Sequence, residues 1–405
     1  MNKLFEIEIG RPGSFGASTA TTLSLPATPY EIMDALDRAR VTDERVIYSS
    51  EILCCELDYL PQFISPSVNL YELNHLAQRL AGLSEWELNC FEGMVMMDTI
   101  RTQYAPIAID RLINMTHSTA DCQIAYEAHD DASLGLFYAD NGFVPILETL
   151  PEDVFKWLDY SKIGKELREG EGGVFTPSGY VVLNGEIAEE YKSGDAIPKQ
   201  KPDYTVLLHI TKQYFEAPGD DPQLSDTVEL PASEIALHMA MKEVDAIIPE
   251  ECGFTVVDCI IPRLAQTITE DLEASRGGSY AMVNELAVQL QRLNRDGGLP
   301  IYKAMLEAAP KDILLEDTLD LAYQTDRFRL LRESASPEDY ARAELSNRDI
   351  PFKDVLLSST SLRHYGEKLM ERDQSSMTKY GILIARDGQT VEQCLNRSEQ
   401  SMKLE

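Results

Sequence analysis

Leu73-Asn74-His75-Leu76-Ala77-Gln78-Arg79-Leu80-Ala81-Gly82-Leu83 places apolar residues at the i, i+3, i+4 and i+7 spacing of one helical face. The pattern returns 210 positions later, with Val283, Asn284, Leu286, Ala287, Leu290 and Leu293 in the matching places. Three further blocks repeat in the same order. Leu23-Ser-Leu-Pro-Ala-Thr28 corresponds to Val228-Glu-Leu-Pro-Ala-Ser233 at an offset of 205. Each follows an alternating segment (Phe5, Ile7, Ile9; Val206, Leu208, Ile210) that reads as a strand. Ile52-Leu-Cys-Cys55 corresponds to Val256-Val-Asp-Cys259 at 204, and each leads into a Leu and an Ile (Leu60, Ile64; Leu264, Ile268). Gly164, Leu167, Thr176 and Gly179 correspond to Gly366, Leu369, Thr378 and Gly381 at 202. Ordered matches with offsets confined to 202 through 210 point to a tandem duplication.

The fold class that follows is α+β: two copies of a mixed α/β unit, each a strand pair, a helix, a strand and then helices. The first helices are expected over Tyr30 to Arg40 and Glu234 to Ala246. Ser84-Glu-Trp-Glu87 is a capping box, and Ser336-Pro-Glu-Asp339 opens a helix with Pro at its first position. Asn184-Gly185 and Asp387-Gly388 are expected to close each copy with a hairpin turn. The first repeat spans 1–190, its later part (about 100–190) helical with a terminal hairpin, and the second spans 203–405. The polar, proline-containing stretch 191–202 reads as a linker.

The 405 residues include 36 Lys+Arg against 68 Asp+Glu, a formal net charge of −32. Residues 1–202 carry net −17 and the remainder net −15, so the charge belongs to both repeats. Such a chain repels phosphates and anionic lipid headgroups, which disfavours direct contact with nucleic acid or membrane and favours a basic partner or a site built for DNA. No apolar run approaches the roughly 18 residues of a membrane span. The N-terminus lacks a signal-peptide core and the seven cysteines have no regular spacing, so reduced thiols and a cytoplasmic location are expected.

Catalytic and metal motifs are weak. Gly10-Arg-Pro-Gly13-Ser-Phe-Gly16 lacks the Lys-Ser/Thr pair that grips phosphate and reads as a loose loop. His129-Asp130-Asp131 reads as a solvated turn, because sequence neighbours point in different directions. Cys54 and Cys55 are adjacent, and Cys252 and Cys259 lie seven apart, so neither pair has zinc-ligand spacing. No hydrolase motif is present among the six histidines and the serines. Cys55 and Cys259 sit at matching apolar positions where burial makes a thiol inert, and Cys90, Cys122 and Cys394 belong to no motif visible in the sequence. No metal, no cofactor and no catalytic residue is expected.

Strand pair, Leu-Pro, helix, strand, and then Leu73-Asn74-x-Leu76-Ala77 with Leu80, Leu83 and Glu87 resembles the ArdA family of antirestriction proteins, carried by mobile genetic elements. The resemblance is best over residues 1 to about 100 and implies an elongated chain of small α/β domains that mimics bent DNA. It further implies binding to the basic DNA groove of type I restriction-modification enzymes, without catalysis or cofactor. This chain is more than twice the usual length, which suggests a pseudo-dimer in one polypeptide and leaves a homodimer open. The carboxylates within the matching stretch are Glu31, Asp34, Asp37, Glu72, Glu85, Glu87 and Glu92. Asp130, Asp131, Glu152, Asp153, Glu166, Glu169, Glu171, Glu189 and Glu190 extend the expected acidic surface. Two other readings stand beside it: an interaction scaffold whose charge only confers solubility, and a cysteine-dependent enzyme.

Overall fold

The period of two in the opening segments becomes β1 (Phe5–Gly10) and β2 (Thr21–Leu25), with Phe5, Ile7, Ile9, Leu23 and Leu25 buried. The structure, a computed structural model, describes residues 2–395 apart from 13–18, 42–44, 103–105, 146–150, 152–153, 155–156, 196, 198–201, 213–223 and 349–360. After β2, Thr28 and Glu31 form a reciprocal capping box that starts α1 (Pro29–Arg38), and β3 (Ser49–Cys55) completes a sheet of order β2-β1-β3. Next come α2 (Leu70–Ala81), α3 (Glu85–Thr102), α4 (Ile109–Met115), β4 (Cys122–Ala125), α5 (Asp131–Asp140), α6 (Tyr160–Glu171), β5 (Val174–Thr176) and β6 (Gly179–Leu183). The last three strands pair antiparallel in the order β4-β6-β5.

The later half follows the same plan. β7 (Val206–Lys212), β8 (Ser225–Leu230), α7 (Glu234–Glu243) and β9 (Cys252–Cys259) give an antiparallel sheet of order β8-β7-β9. Then come α8 (Leu264–Ala274), α9 (Tyr280–Asp296), α10 (Leu299–Ala308) and α11 (Leu315–Ala322). β10 (Phe328–Leu331), α12 (Pro337–Asn347), α13 (Leu362–Arg372), β11 (Ser376–Thr378) and β12 (Gly381–Ala385) end the described fold, with strand order β10-β12-β11. The protein is therefore α+β, built from small three-stranded sheets and helices.

Matching residues do matching work in the two halves. Asn74 of α2 clamps the backbone of Ala27: Ala27 N–H donates to Oδ1 (2.7 Å) and Nδ2 donates to Ala27 O (3.0 Å). Asn284 of α9 holds Ala232 in the same way at 2.8 and 3.1 Å. The Asn inside the apolar stripe thus ties its helix to the residue after Leu-Pro. Gly164 lies so close to the start of α5 that a Cβ would come within 1.9 Å of Asp131 O, and Gly366 stands at the same distance from Pro337 O at the start of α12. Only glycine permits these two helix contacts.

One expectation is corrected. The hairpin turns lie one strand earlier than Asn184-Gly185 and Asp387-Gly388: they join Thr176 to Gly179 and Thr378 to Gly381, where each Thr hydroxyl donates to the Gly carbonyl (3.0 and 2.7 Å). β6 and β12 are central strands already paired on both edges, so no following strand can add to them. The Leu-Ile pair after each cysteine is buried in both halves, but in different structures. Leu60 and Ile64 flank a single 3₁₀ turn, whereas Leu264 and Ile268 lie on the full helix α8. The extra residues of α8 move the offset from 204 to 210.

The chain groups into two compact units, one of Met1–Ile7, Ser24–Ala27 and Ser50–Pro198, the other of Glu8–Leu23, Thr28–Ser49 and Lys199–Glu405. The division runs through the first sheet and assigns α1 to the second unit. Leu70, Leu73, Leu76, Ala77, Leu80, Phe91 and Met94 are buried in the first unit. In the second, Val283, Leu286, Leu290, Tyr302 and Met305 form part of a large apolar cluster that also includes Tyr30 of α1. Among the described residues no helix is long and apolar enough to cross a membrane.

Candidate functional site

The expected acidic surface divides into carboxylates that hold the fold together and carboxylates that face solvent. α1 supplies mainly the first kind. Glu31 accepts from Thr28 N–H to close the capping box (2.9 Å). Asp34 is buried: it pairs with Lys303 (2.9 Å) and Arg38 (3.1 Å) and accepts from the Tyr380 hydroxyl (2.9 Å). Asp37 pairs with Lys303 (2.8 Å) and Arg332 (3.1 Å). The face of α1 that helical periodicity assigns to solvent is covered by α10 and the β11–β12 hairpin, so Asp34 presents no charge at the surface. Burial pulls the Lys303 ammonium toward neutrality, but Asp34 and Asp37 outweigh it and raise its pKa.

In the first unit, Glu72 accepts from the Tyr191 hydroxyl (3.0 Å). Glu87 accepts from Ser84 N–H (2.8 Å), and the Ser84 hydrogen bonds hold it below the usual carboxylate range. Glu92 is half-buried, which raises its pKa, and Glu85 is exposed. Asp130 caps α5 by accepting from Ser133 N–H (2.7 Å), and Asp131 pairs with Arg168 (2.8 Å); these contacts lower both carboxyls. On α6, Glu166 is exposed, Glu169 lies 3.8 Å from Lys165, and Glu171 accepts from the hydroxyls of Tyr138 (2.8 Å) and Tyr180 (3.1 Å). Lys162, Lys165 and Arg168 interleave with these three, so α6 is close to neutral overall. Glu152 and Asp153 lie outside the described residues.

A more acidic display follows β6. Residues 186–191 have no regular secondary structure, yet Asn114 of α4 pins them: Glu190 N–H and Tyr191 N–H donate to its Oδ1 (3.0 and 2.8 Å), and its Nδ2 donates to Tyr191 O (2.8 Å). Ala188 N–H donates to Ser118 Oγ (2.9 Å). Glu186, Glu189 and Glu190 are thereby held outward on a fixed backbone, with Lys192 3.7 Å from Glu189. Sequence reasoning named Glu189 and Glu190 and missed Glu186. It also missed the exposed Glu51, Glu56 and Asp58 of β3 and the turn after it, of which the strand alternation could have revealed Glu51.

Beside this segment a cleft of about 780 Å³ is lined by Met94, Asp98, Arg101, Arg111, Asn114 and Tyr191, among others. Its buried carboxylate, Asp98, is held by Arg101 (2.8 Å) and Arg111 (2.6 Å). The described residues contain no group of three or more His, Cys, Asp and Glu that could hold a metal ion. Burial pushes the thiols of Cys55 and Cys252 up to about 11 and that of Cys259 up to about 12, which leaves almost no thiolate at neutral pH. Cys90 and Cys122, which show no partner in the sequence, are buried and act on each other, the contact lowering the pKa of Cys90 and raising that of Cys122. Cys54 is exposed.

No curated protein matches the chain significantly. Residues 15–182 match the family model described as antirestriction protein (ArdA), a segment running from before β2 to near the end of β6 and holding Asn74, Asn114 and the carboxylates of α3, α5 and α6. Over that segment the chain is similar to the ArdA family of antirestriction proteins.

Proposed function

We propose that this protein inhibits a type I restriction-modification enzyme, or a related DNA-binding defence enzyme, by offering carboxylates where the enzyme expects DNA phosphates. The family match over residues 15–182 carries this reading. Support comes from the net charge of −32 and from the rigidly held Glu186, Glu189 and Glu190. We further propose that the chain arose by duplication of one such unit, with residues 191–202 as the join. The shared strand orders and the paired Asn74 and Asn284 clamps support that origin. The cytoplasm, where a restriction enzyme would meet incoming DNA, is the proposed site of action. Nothing in the proposal requires catalysis.

Affinity would come from Lys and Arg of the target, so binding weakens as salt rises. The test is displacement of a labelled recognition-site duplex from a type I methyltransferase core, titrated with the purified protein at two salt concentrations. Competitive, salt-sensitive displacement near stoichiometric protein is expected. Failure to displace at large excess would sink the type I reading, and displacement insensitive to salt would sink mimicry. Joint replacement of Glu85, Glu166, Glu186, Glu189 and Glu190 by Gln should abolish inhibition, whereas an interaction scaffold would keep its activity.

A further inference from the structure

The closing sheets of the two halves share a structural pair and differ in the charges around it. Arg329 of β10 stands opposite Ile384 of β12, as Gln123 of β4 stands opposite Val182 of β6. Ile384 packs with Tyr340 of α12 and Leu369 of α13. Cross-strand partners share a face and residues two apart along a strand do too, so Arg329 and Arg386 are set on the side of the sheet that meets those helices. Arg372, the last residue of α13, reaches the same place. Arg329, Arg372, Asp373 and Arg386 line a cavity of about 460 Å³, with Ile384 in its wall.

The shared fold does not require these arginines. Tyr340 donates to Asp373, and at an offset of 202 Tyr138 donates to Glu171, so the tyrosine–carboxylate pair belongs to both halves. Around that pair the first half carries Gln123, Gly170 and Asn184 where the second carries Arg329, Arg372 and Arg386. The added charges do not cancel. Arg372 donates to both oxygens of Asp373 (2.7 and 2.8 Å) and holds its carboxyl below the usual range, so Asp373 stays ionised and offsets one cation. Arg386 Nε donates to Phe328 O (3.1 Å), which fixes the side chain and leaves its terminal nitrogens without a partner among the described residues. Arg329 makes no hydrogen bond or ion pair among them. Neighbouring carboxylates are already engaged: Glu344 with Arg348 (2.9 Å), Glu371 with Lys368 (2.8 Å) and Asp387 with Arg327 (2.6 Å). Three cations against one carboxylate leave the cavity a surplus of two positive charges, in a chain of net −32. Guanidinium groups held together repel one another, and an anion between them relieves that cost.

We propose that this cavity binds a phosphate dianion, free or as the monoester of a small molecule, through Arg329 and Arg386 beside the Arg372–Asp373 pair. A phosphomonoester carries about 1.5 to 2 negative charges at neutral pH, which matches the surplus, and its oxygens suit the planar guanidinium fork. A lone carboxylate supplies half that charge. The cavity volume falls within the roughly 300–1,000 Å³ of small-ligand pockets. A nucleic acid is disfavoured, because a long polyanion meets the field of the whole acidic chain, whereas a small dianion is screened from charges beyond about 8–10 Å. The site lies within the second unit and uses none of the carboxylates assigned to inhibition, so its failure and the failure of the proposed function are separate results.

Isothermal titration calorimetry of the full chain at low salt, with AMP, inorganic phosphate and acetate as probes, tests the proposal. One AMP or one phosphate per chain is expected, each displacing the other, with acetate at least roughly tenfold weaker. Tighter binding of AMP assigns the site to a phosphomonoester, and equal binding assigns it to free phosphate. Arg329→Gln should raise the dissociation constant roughly tenfold or more, because it removes a cation with no hydrogen bond or ion pair of its own in the fold. Arg386→Gln should do the same. Asp373→Asn should tighten binding, since it removes the carboxylate that competes with the ligand, and a mere disturbance of the cavity would not change affinity in that direction. Circular-dichroism melting shows whether each variant folds, and R329Q carries the test if R386Q or D373N is unstable. No binding of AMP or phosphate at millimolar concentration overturns the proposal. So does binding that R329Q and R386Q leave unchanged, which would mark a diffuse counterion, or acetate binding as tight as that of phosphate.

Discussion

α1 and α7 share a capping residue type, a length, an inner face and a C-terminal left-handed residue, yet one hides carboxylates and the other exposes isoleucine and methionine. The difference shows that the elements of this fold are specified by caps and inner stripes, which leaves the outer face of each helix to be set by what lies against it. Buried Asp34 is tolerated because Lys303, Arg38 and Tyr380 surround it with donors. Such a network adds little net stability while intact and costs a great deal when one partner is removed. Exposed Met239 carries no such penalty, only unburied apolar area.

The largest expected effect follows from that asymmetry. Lys303→Ala leaves Asp34 and Asp37 without their shared cation and should destabilise the protein by about 3 kcal/mol or more. Asn89→Ala, at the equivalent place in the first unit, should cost about 1 kcal/mol or less, since Asn89 is half-buried and neutral. Urea denaturation of the two variants measures both. Equal losses would break the distinction between a covered and an uncovered face.

A second comparison sets the halves against each other where they agree. Asn74→Ala removes both hydrogen bonds to Ala27 and leaves a buried N–H and C=O unpaired, which should cost about 2 kcal/mol. Asn284→Ala should cost less, about 1 to 2 kcal/mol, because its site is only half-buried. If either substitution is silent in thermal melting, the clamp is not a structural requirement of that half of the chain.

Much of this plan was legible in the sequence, because the signals are local. The stripe from Leu73 to Leu83, the Thr28, Ser84 and Ser336 caps and the alternation of Phe5, Ile7 and Ile9 each specify an element without reference to the rest of the chain. The repeated Asn was visible as a pattern, but its clamp on Ala27 joins residues 47 positions apart and leaves no periodic trace. The candidate site was harder for the same reason. Asp34 lies at an ordinary solvent-side position of α1, and its burial depends on Lys303 and Tyr380, far along the chain. Glu186 was missed because its fixed position comes from Asn114 holding an irregular segment, which propensity does not register.

Titration tests the covered face once more, with a smaller effect. Burial raises the pKa of Asp258 despite hydrogen bonds from Thr28 and Tyr204. A carboxyl whose folded pKa is raised contributes its stability below the unfolded value, about 3.9, and loses it as pH rises through the folded value. Asp258→Asn keeps an oxygen for Thr28 and does not titrate. It should therefore gain on the wild type as pH rises from about 4 through the folded value of Asp258. A D258N stability difference that stays flat with pH would mean that the Asp258 environment does not favour the neutral acid.

The smallest effects belong to single solvent-facing carboxylates, and their smallness is itself informative. Glu166 and Glu190 are exposed, and no ion pair holds either among the described residues, so E166Q or E190Q should change folding stability by less than about 0.5 kcal/mol. Each should weaken inhibition only slightly, since a mimic that replaces a row of phosphates divides its attraction among many charges screened over about 8–10 Å. The neutral Lys-Glu pattern of α6 makes a further distinction: E166Q should weaken inhibition less than E190Q, because Lys162 and Lys165 already offset the field around Glu166, whereas Glu190 stands beside Glu186 and Glu189. Inhibition titrations of both variants at low salt resolve the order. A large loss from either single change would replace a diffuse acidic face with one dominant contact, and the reverse order would move the binding surface from the segment after β6 to α6.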